Sequence, residues 1–135
     1  MVKLFVGVII EESLENKAVL KKLKIIRTEV EKVTKEHHTP WLKQWTLYTV
    51  EISENHADEI AKELSKSLDS KHIGSWYADF KNNSHHYIIF HNKFFKVDRS
   101  KKEQYNNVVK YGLSLGIPKH QLDFSPDIKE WERKN

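Results

Sequence analysis

The sequence predicts an α+β fold, with an antiparallel sheet that carries helices mainly on one face and is ferredoxin-like (a split β-α-β arrangement) in its middle part. Two patterns carry this prediction. Short apolar and β-branched runs bounded by turn residues are typical of strands, and apolar stripes at helical spacing lie between them. The length of 135 residues lies in the usual range of one domain, about 100–150 residues. We therefore expect residues 1–135 to form a single domain.

The first half of the chain predicts a strand, a helix and a hairpin. LFVGVII predicts a strand buried on both faces, and ESLENKAVLKKL, from Glu12, fits a helix with its acidic residues first and its lysines last. The 24–33 segment fits a helix by the spacing of its apolar residues and a strand by their alternation. We favour the strand, because β-branched residues dominate and residues 41–52 can pair with it as a hairpin.

The next segments predict a helix and three more strands. HADEIAKELSKSL carries an apolar helical stripe, and Ser53 or Asn55 is a suitable N-cap. SWYADF predicts a strand after Gly74. HHYIIF and KFFKV are separated by His91 and Asn92, and this spacing is typical of a tight hairpin.

A last helix and a tail complete the prediction. Ser100 and Glu103 have the spacing of a capping box, and Gly116 with a proline two residues later is a stop signal. This helix start would place Lys101 and Lys102 in the first turn, where their charge opposes the helix dipole. The tail is expected to lay three apolar residues on the domain: Leu122, Phe124 and Trp131.

Composition excludes several classes of function. The chain has no cysteine, so disulfides, thiolate metal sites and a cysteine nucleophile are excluded. No apolar stretch approaches the roughly 18 residues of a membrane span, and the short apolar run near the start lacks a signal-peptide cleavage pattern. A net charge of +4 permits contact with nucleic acid without arguing for it. We expect a cytoplasmic protein with no membrane partner.

The histidines near SHHYIIFHNKFF do not predict a metal site. His85 and His91 would lie roughly 20 Å apart along one strand face, because a strand advances about 3.4 Å per residue. His86 points to the opposite face, and the chain has no H-E-x-x-H pattern. We predict neither a metal nor a cofactor.

The turn between SWYADF and HHYIIF decides whether an Asp–His pair exists. One register places Asp79 with His86 on one face and suggests acid–base chemistry. The other gathers Trp76, Ala78 and Phe80 with the apolar residues of the next strand. We favour the second register because it groups the large apolar side chains, and it separates the pair. With no G-x-S-x-G or glycine-rich phosphate motif present, whether the chain is an enzyme stays open.

In the favoured register, the other sheet face is unusually aromatic and has a basic rim. Such a face needs a cover, and the N-terminal strand or the tail of the same chain is one candidate for it. A second copy of the chain is another, and we expect a binding domain that forms a homodimer through this face. One alternative is single-stranded nucleic-acid binding on the same face, and another is a small enzyme without a sequence motif. The candidate binding residues, with a tryptophan pair four residues apart, are Tyr77, Asp79, Tyr87, Phe94, Lys96, Arg99, Trp41 and Trp45.

Four segments carry a resemblance that covers the chain from about Thr39 to Pro126: TPWLKQWTLYTVEI, SWYADFKN, HHYIIF-x-x-KFFKVDR and YGLSLGIPKHQLDFSP. They resemble a family of small bacterial and archaeal single-domain proteins with no assigned activity. The resemblance implies a single intracellular domain. It implies no particular fold, activity or functional residue.

Overall fold

The computed structural model describes residues 4–35, 39–72 and 76–122. Within these ranges the chain forms six strands, two α-helices and several short 3-10 turns. The strands are β1 (Leu4–Ile10), β2 (Lys24–Lys32), β3 (Gln44–Ser53), β4 (Ala78–Lys81), β5 (His85–Phe90) and β6 (Lys93–Asp98). The helices are α1 (Ala57–Ser67) and α2 (Gln104–Ser114).

The six strands form one antiparallel sheet in the order β2-β3-β1-β4-β5-β6. The α+β prediction is therefore confirmed, as is the choice of a strand for the 24–33 segment. Strands β3 and β4 lie on either side of β1 and both run antiparallel to it, and the chain passes between them through α1. A ferredoxin-like fold needs two such interleaved crossovers, and the described residues contain this one, so the ferredoxin-like detail is not confirmed.

The two α-helices cover opposite faces of the sheet. Ile60, Ala61 and Leu64 of α1 belong to the larger core, together with residues of β1, β3, β4 and β5. Tyr105 and Val108 of α2 belong to a second core on the other side of β5 and β6. The sequence predicted helices mainly on one face. The structure places one helix on each face instead. The reason lies in β5, because its residues 86–90 are all buried and the strand therefore needs a helix on both sides.

Strand β1 is buried on one face, whereas the sequence predicted burial on both. Phe5, Gly7 and Ile9 face α1 and are buried, while the residues between them are half-buried. At Gly7 the neighbouring strand comes so close that a Cβ would lie 2.1 Å from the carbonyl oxygen of Asp79. Glycine is therefore required here by the close approach of β1 and β4.

The prediction of a helix from Glu12 is wrong. The segment forms two 3-10 turns, Glu11–Ser13 and Lys17–Lys22. Its polar residues bond locally or to the sheet: the Ser13 hydroxyl donates to the Ile10 carbonyl, and the Asn16 side chain accepts from the Ala18 N–H. Such side chains compete with helical hydrogen bonds, and the apolar spacing did not reveal that competition.

The predicted caps of both α-helices are replaced by other residues. Residue 56 is the N-cap of α1, and Ser53 caps the 3-10 turn before it. Helix α2 begins after Glu103, and the Ser100 hydroxyl bonds to Asp98, so the predicted capping box does not form. Consequently Lys101 precedes the helix and does not oppose its dipole from the first turn.

The β5–β6 turn and the end of α2 agree with the sequence prediction. Asn92, in the β5–β6 turn, adopts a left-handed φ of 61°. Gly116 ends α2 with a φ of 93°. The N–H groups of Gly116 and Ile117 donate to the carbonyls of Leu113 and Gly112, which is a Schellman motif. Leu122 is buried against α2 as expected. Gly74, Phe124 and Trp131 lie outside the described residues.

Candidate functional site

The residues predicted to share an aromatic face lie on two faces of the sheet. The β4–β5 register pairs Phe80 with Tyr87, which is the register that the sequence reasoning rejected. Tyr87 therefore faces α1, whereas Asp79 faces α2. The physical reason is that β5 is apolar on both faces, so apolar grouping does not select a register. A partner for the buried carboxylate of Asp79 does select one.

Tyr87 is a core residue. Its ring stacks on Phe80 at a centroid distance of 4.7 Å and on Phe94 at 6.1 Å. Its hydroxyl donates to the carboxylate of Asp58, in the first turn of α1. Burial, followed by this hydrogen bond, raises the pKa of Tyr87 far above its ordinary value. Lys96 is exposed and its Nζ lies 5.5 Å from the Tyr87 ring centroid.

Tyr77 and Arg99 anchor loops on the α2 side. The Tyr77 hydroxyl donates to the carbonyl of Gln121, and its ring lies 6.1 Å from that of Phe90. Arg99 Nη1 donates to the carbonyl of Asn82 at 2.6 Å, which ties the end of β6 to the β4–β5 turn. These contacts assign both side chains to the fold. Binding by either residue stays a prediction.

The two tryptophans four residues apart occupy different environments. Trp45 is buried, and its Nε1 donates to the Thr39 hydroxyl at 2.9 Å. Trp41 lies before β3, is exposed, and stacks on the His72 ring at a centroid distance of 3.8 Å. His72 in turn bonds through Nδ1 to Asp69 Oδ2 at 2.6 Å. Burial opposes ionisation of Asp69, but the hydrogen bonds from His72 and the Lys71 backbone outweigh it and lower the pKa of Asp69.

A buried polar network joins β4, β5 and α2. His86 Nε2 lies 2.7 Å from Asp79 Oδ2, and His86 Nδ1 lies 3.0 Å from the Tyr105 hydroxyl. A neutral imidazole with its proton on Nε2 satisfies both contacts, since it donates to the carboxylate and accepts from the phenol. Burial raises the pKa of Tyr105, and the nearby positive charge of Arg99 opposes that rise only in part.

This network has the residue types of an acid–base site, but its side chains are not accessible to a substrate. His86 is 1% exposed and Asp79 is 5% exposed. A general base must reach a proton on the substrate within about 3 Å, and these side chains are enclosed between the sheet and α2. The arrangement fits a structural role, in which the polar groups fix α2 on the sheet.

The described residues contain no group of three or more histidine, aspartate or glutamate side chains that could hold a metal ion. His85 contacts the hydroxyl of its neighbour Ser84, and His91 contacts the carbonyl of Leu68 at the end of α1.

Sequence reasoning missed the surface of β2. All of its residues are exposed except Glu31, which is half-buried. Val30 is 61% exposed and Ile26 is 48% exposed. The strand pairs with β3 on one side only, and a bulge interrupts the pairing at Ile26. The signal was present in the sequence as charged residues alternating with β-branched ones, but it does not distinguish an edge strand from a half-buried one.

Within the part of the chain that the structure describes, no helix has the length and apolar character to cross a bilayer. Comparison of the chain with protein-family models, curated proteins and solved structures found no significant match.

Proposed function

We propose that this chain is a binding domain and that β2 is its binding surface, where a partner strand adds to the edge of the sheet. The observation that carries the proposal is the exposure of β2 on both faces and along its outer edge. The opposite edge strand, β6, differs because Val97 is buried and helices contact it on both sides.

An edge strand presents a row of backbone N–H and C=O groups that another strand can pair with. Proteins often block such edges with lysines and bulges. In β2 these features lie toward the ends, at Lys24, Lys32 and the bulge at Ile26. The segment from Arg27 to Glu31 pairs regularly with β3, which supports its use as a docking edge.

The exposed apolar side chains support the same proposal. Ile25, Ile26 and Val30 are three of the six large hydrophobic residues that are exposed in the described parts of the chain. Clusters of exposed apolar groups are typical of interaction surfaces. β-branched residues have high strand propensity and suit cross-strand contacts.

This proposal keeps the self-association expected from the sequence as one form of binding but moves it to another surface. Tyr87 is enclosed in the core, and Tyr77 faces the other side of the sheet, so they form no common stacking platform. Stacking of single-stranded nucleic acid on these residues is therefore not favoured. Catalysis by Asp79 and His86 is not favoured either, because both are buried.

The test is the paired change Ile26→Lys with Val30→Lys, followed by native mass spectrometry and chemical unfolding. We expect the parent protein to carry a second polypeptide, either another copy or a different chain, and the variant to lose it. The free energy of unfolding should stay within about 0.5 kcal/mol of the parent, because exposed side chains away from packing contribute little.

Leu113→Lys is the matched control, since Leu113 is 45% exposed on α2 and lies far from β2 in the fold. It should leave the assembly unchanged. The proposal is wrong if the parent is a bare monomer, if the β2 variant keeps the parent's assembly, or if that variant loses several kcal/mol of stability.

A further inference from the structure

We infer that the strand that adds to β2 is the β2 strand of a second copy of this chain, antiparallel, with a twofold axis at Thr28. The inference rests on the proposed function of β2 and names its partner. A twofold axis through an antiparallel pair requires each residue before the axis to meet its counterpart after it. The sequence of β2, KIIRTEVEK, can therefore be tested against every position of the axis.

Charge selects the axis at Thr28. There, Arg27 of each copy lies opposite Glu29 of the other. Arg27 and Glu29 already attract within one chain, with Nη2 of Arg27 2.5 Å from Oε1 of Glu29. Both side chains are largely exposed and point to the same face. Pairing would therefore bring two arginines and two glutamates into one alternating cluster.

The other axis positions within the regularly paired segment from Arg27 to Glu31 place like charges together. An axis at Glu29 sets that carboxylate against its own copy, and an axis at Arg27 does the same with two guanidinium groups. An axis at Val30 sets Glu29 against Glu31. Like charges directly across a strand pair are destabilising. At Thr28 the like-charged pair is Lys24 with Lys32, at the ends of the strand, and Lys24 Nζ lies 3.4 Å from the carboxylate of Glu51.

The apolar side chains agree with the same axis. With Thr28 at the centre, Val30 of each copy, the most exposed aliphatic residue of β2, approaches the bulge at Ile26 of the other copy. Thr28 meets its own copy, and threonine pairs are favourable across strands. The result is one continuous sheet with six strands from each copy and both α1 helices on the same face.

Disulfide trapping tests the register directly, because the chain has no cysteine of its own. In an antiparallel pair, opposite Cβ atoms lie about 4.5–5.5 Å apart, close to disulfide reach. Under a mild oxidant, Thr28→Cys should form a covalent dimer at micromolar protein. Val30→Cys is the control: it is more exposed, but its copy would lie about 14 Å away along the strand, so it should give no covalent dimer.

Charge reversal gives an independent readout in solution. Glu29→Arg should raise the dissociation constant of the dimer about tenfold, since it puts arginine opposite arginine at two places. Adding Arg27→Glu to the same chain restores opposite charges across the axis and should restore the affinity. Sedimentation velocity measures both effects.

Equal crosslinking of both cysteine variants would indicate random collision and would overturn the inferred register. A parent assembly that depends on Ile26 and Val30 but gives no Thr28→Cys dimer would overturn this inference and leave β2 as a binding surface for another chain. An assembly that is unchanged by Ile26→Lys with Val30→Lys overturns the proposed function itself, so the two failures are distinct.

Discussion

The network of Asp79, His86 and Tyr105 places a carboxylate and an imidazole in the interior of a small domain. Their mutual hydrogen bonds offset the cost of removing each group from water. The three residues come from β4, β5 and α2, so the network also defines how these elements fit together. A polar contact of this kind constrains geometry more narrowly than apolar packing does.

His86→Leu should lower the free energy of unfolding by about 3 kcal/mol, because Asp79 and Tyr105 then lose a buried hydrogen-bond partner. Chemical unfolding measures the change. Replacing Asp79 with leucine in the same chain should recover part of the loss, because replacing both partners with apolar groups can be nearly neutral. Losses that simply add in the double variant would show that the two side chains do not act as a pair.

The sequence shows both members of this pair but does not decide whether they meet. Asp79 and His86 are seven residues apart across a turn, and a shift of one residue in pairing moves one of them to the other face. Grouping Trp76, Ala78 and Phe80 with the apolar residues of β5 favoured the wrong register between β4 and β5. The burial of Asp79 on the second face, which depends on α2, is the missing information.

Among the secondary-structure elements, α1 and β2 were predictable and the segment after β1 was not. The stripe of Ile60, Ala61 and Leu64 has helical spacing, and these residues pack in the core under the sheet. β-branched residues and a pairing partner identified β2. The segment from Glu12 also has helical spacing, but the carboxylate of Glu12 accepts from the backbone N–H and hydroxyl of Thr46 in β3. Such long-range contacts are not encoded in local spacing.

The end of α2 permits a prediction for that element. Gly116→Ala should lower the free energy of unfolding by about 1 kcal/mol, since a Cβ is unfavourable at the left-handed φ of 93°. Gly116→Asn should cost less, because asparagine tolerates this conformation better. Thermal and chemical unfolding of the two variants measure the difference. Equal stability of Gly116→Ala and the parent would contradict the assigned Schellman motif.

For the molecule as a whole, three tyrosines with raised pKa values should set an alkaline limit to stability. The pKa values of Tyr87 and Tyr105 are raised first by burial, and the pKa of Tyr48 is raised first by its hydrogen bond to Glu11. The unfolded chain releases these protons near the ordinary value of 10, while the folded chain retains them. The free energy of unfolding should therefore be unaffected by these groups below pH 9 and should fall as pH rises beyond 10.

Urea unfolding between pH 8 and pH 11.5, together with tyrosinate absorbance of the folded protein, measures this effect. Tyr87→Phe is the control, because it removes one of the three groups and should make the alkaline fall less steep. Titration of all five tyrosines of the folded chain together near pH 10 would contradict the prediction.

Strand β1 has a consequence for how the domain folds and opens. It pairs with β3 through Phe5 and Ile52, and with β4 through Gly7 and Phe80, so both partners are distant in sequence. The β2–β3 hairpin and the β4–β5–β6 meander can each form from neighbouring segments, whereas β1 must close two long loops before it contributes. In the sheet, the hairpin and the meander share no ladder except through β1. When these seven residues detach, the hairpin and the meander remain joined by the side-chain packing under α1 but no longer by strand pairing, so we expect the cooperativity between them to fall.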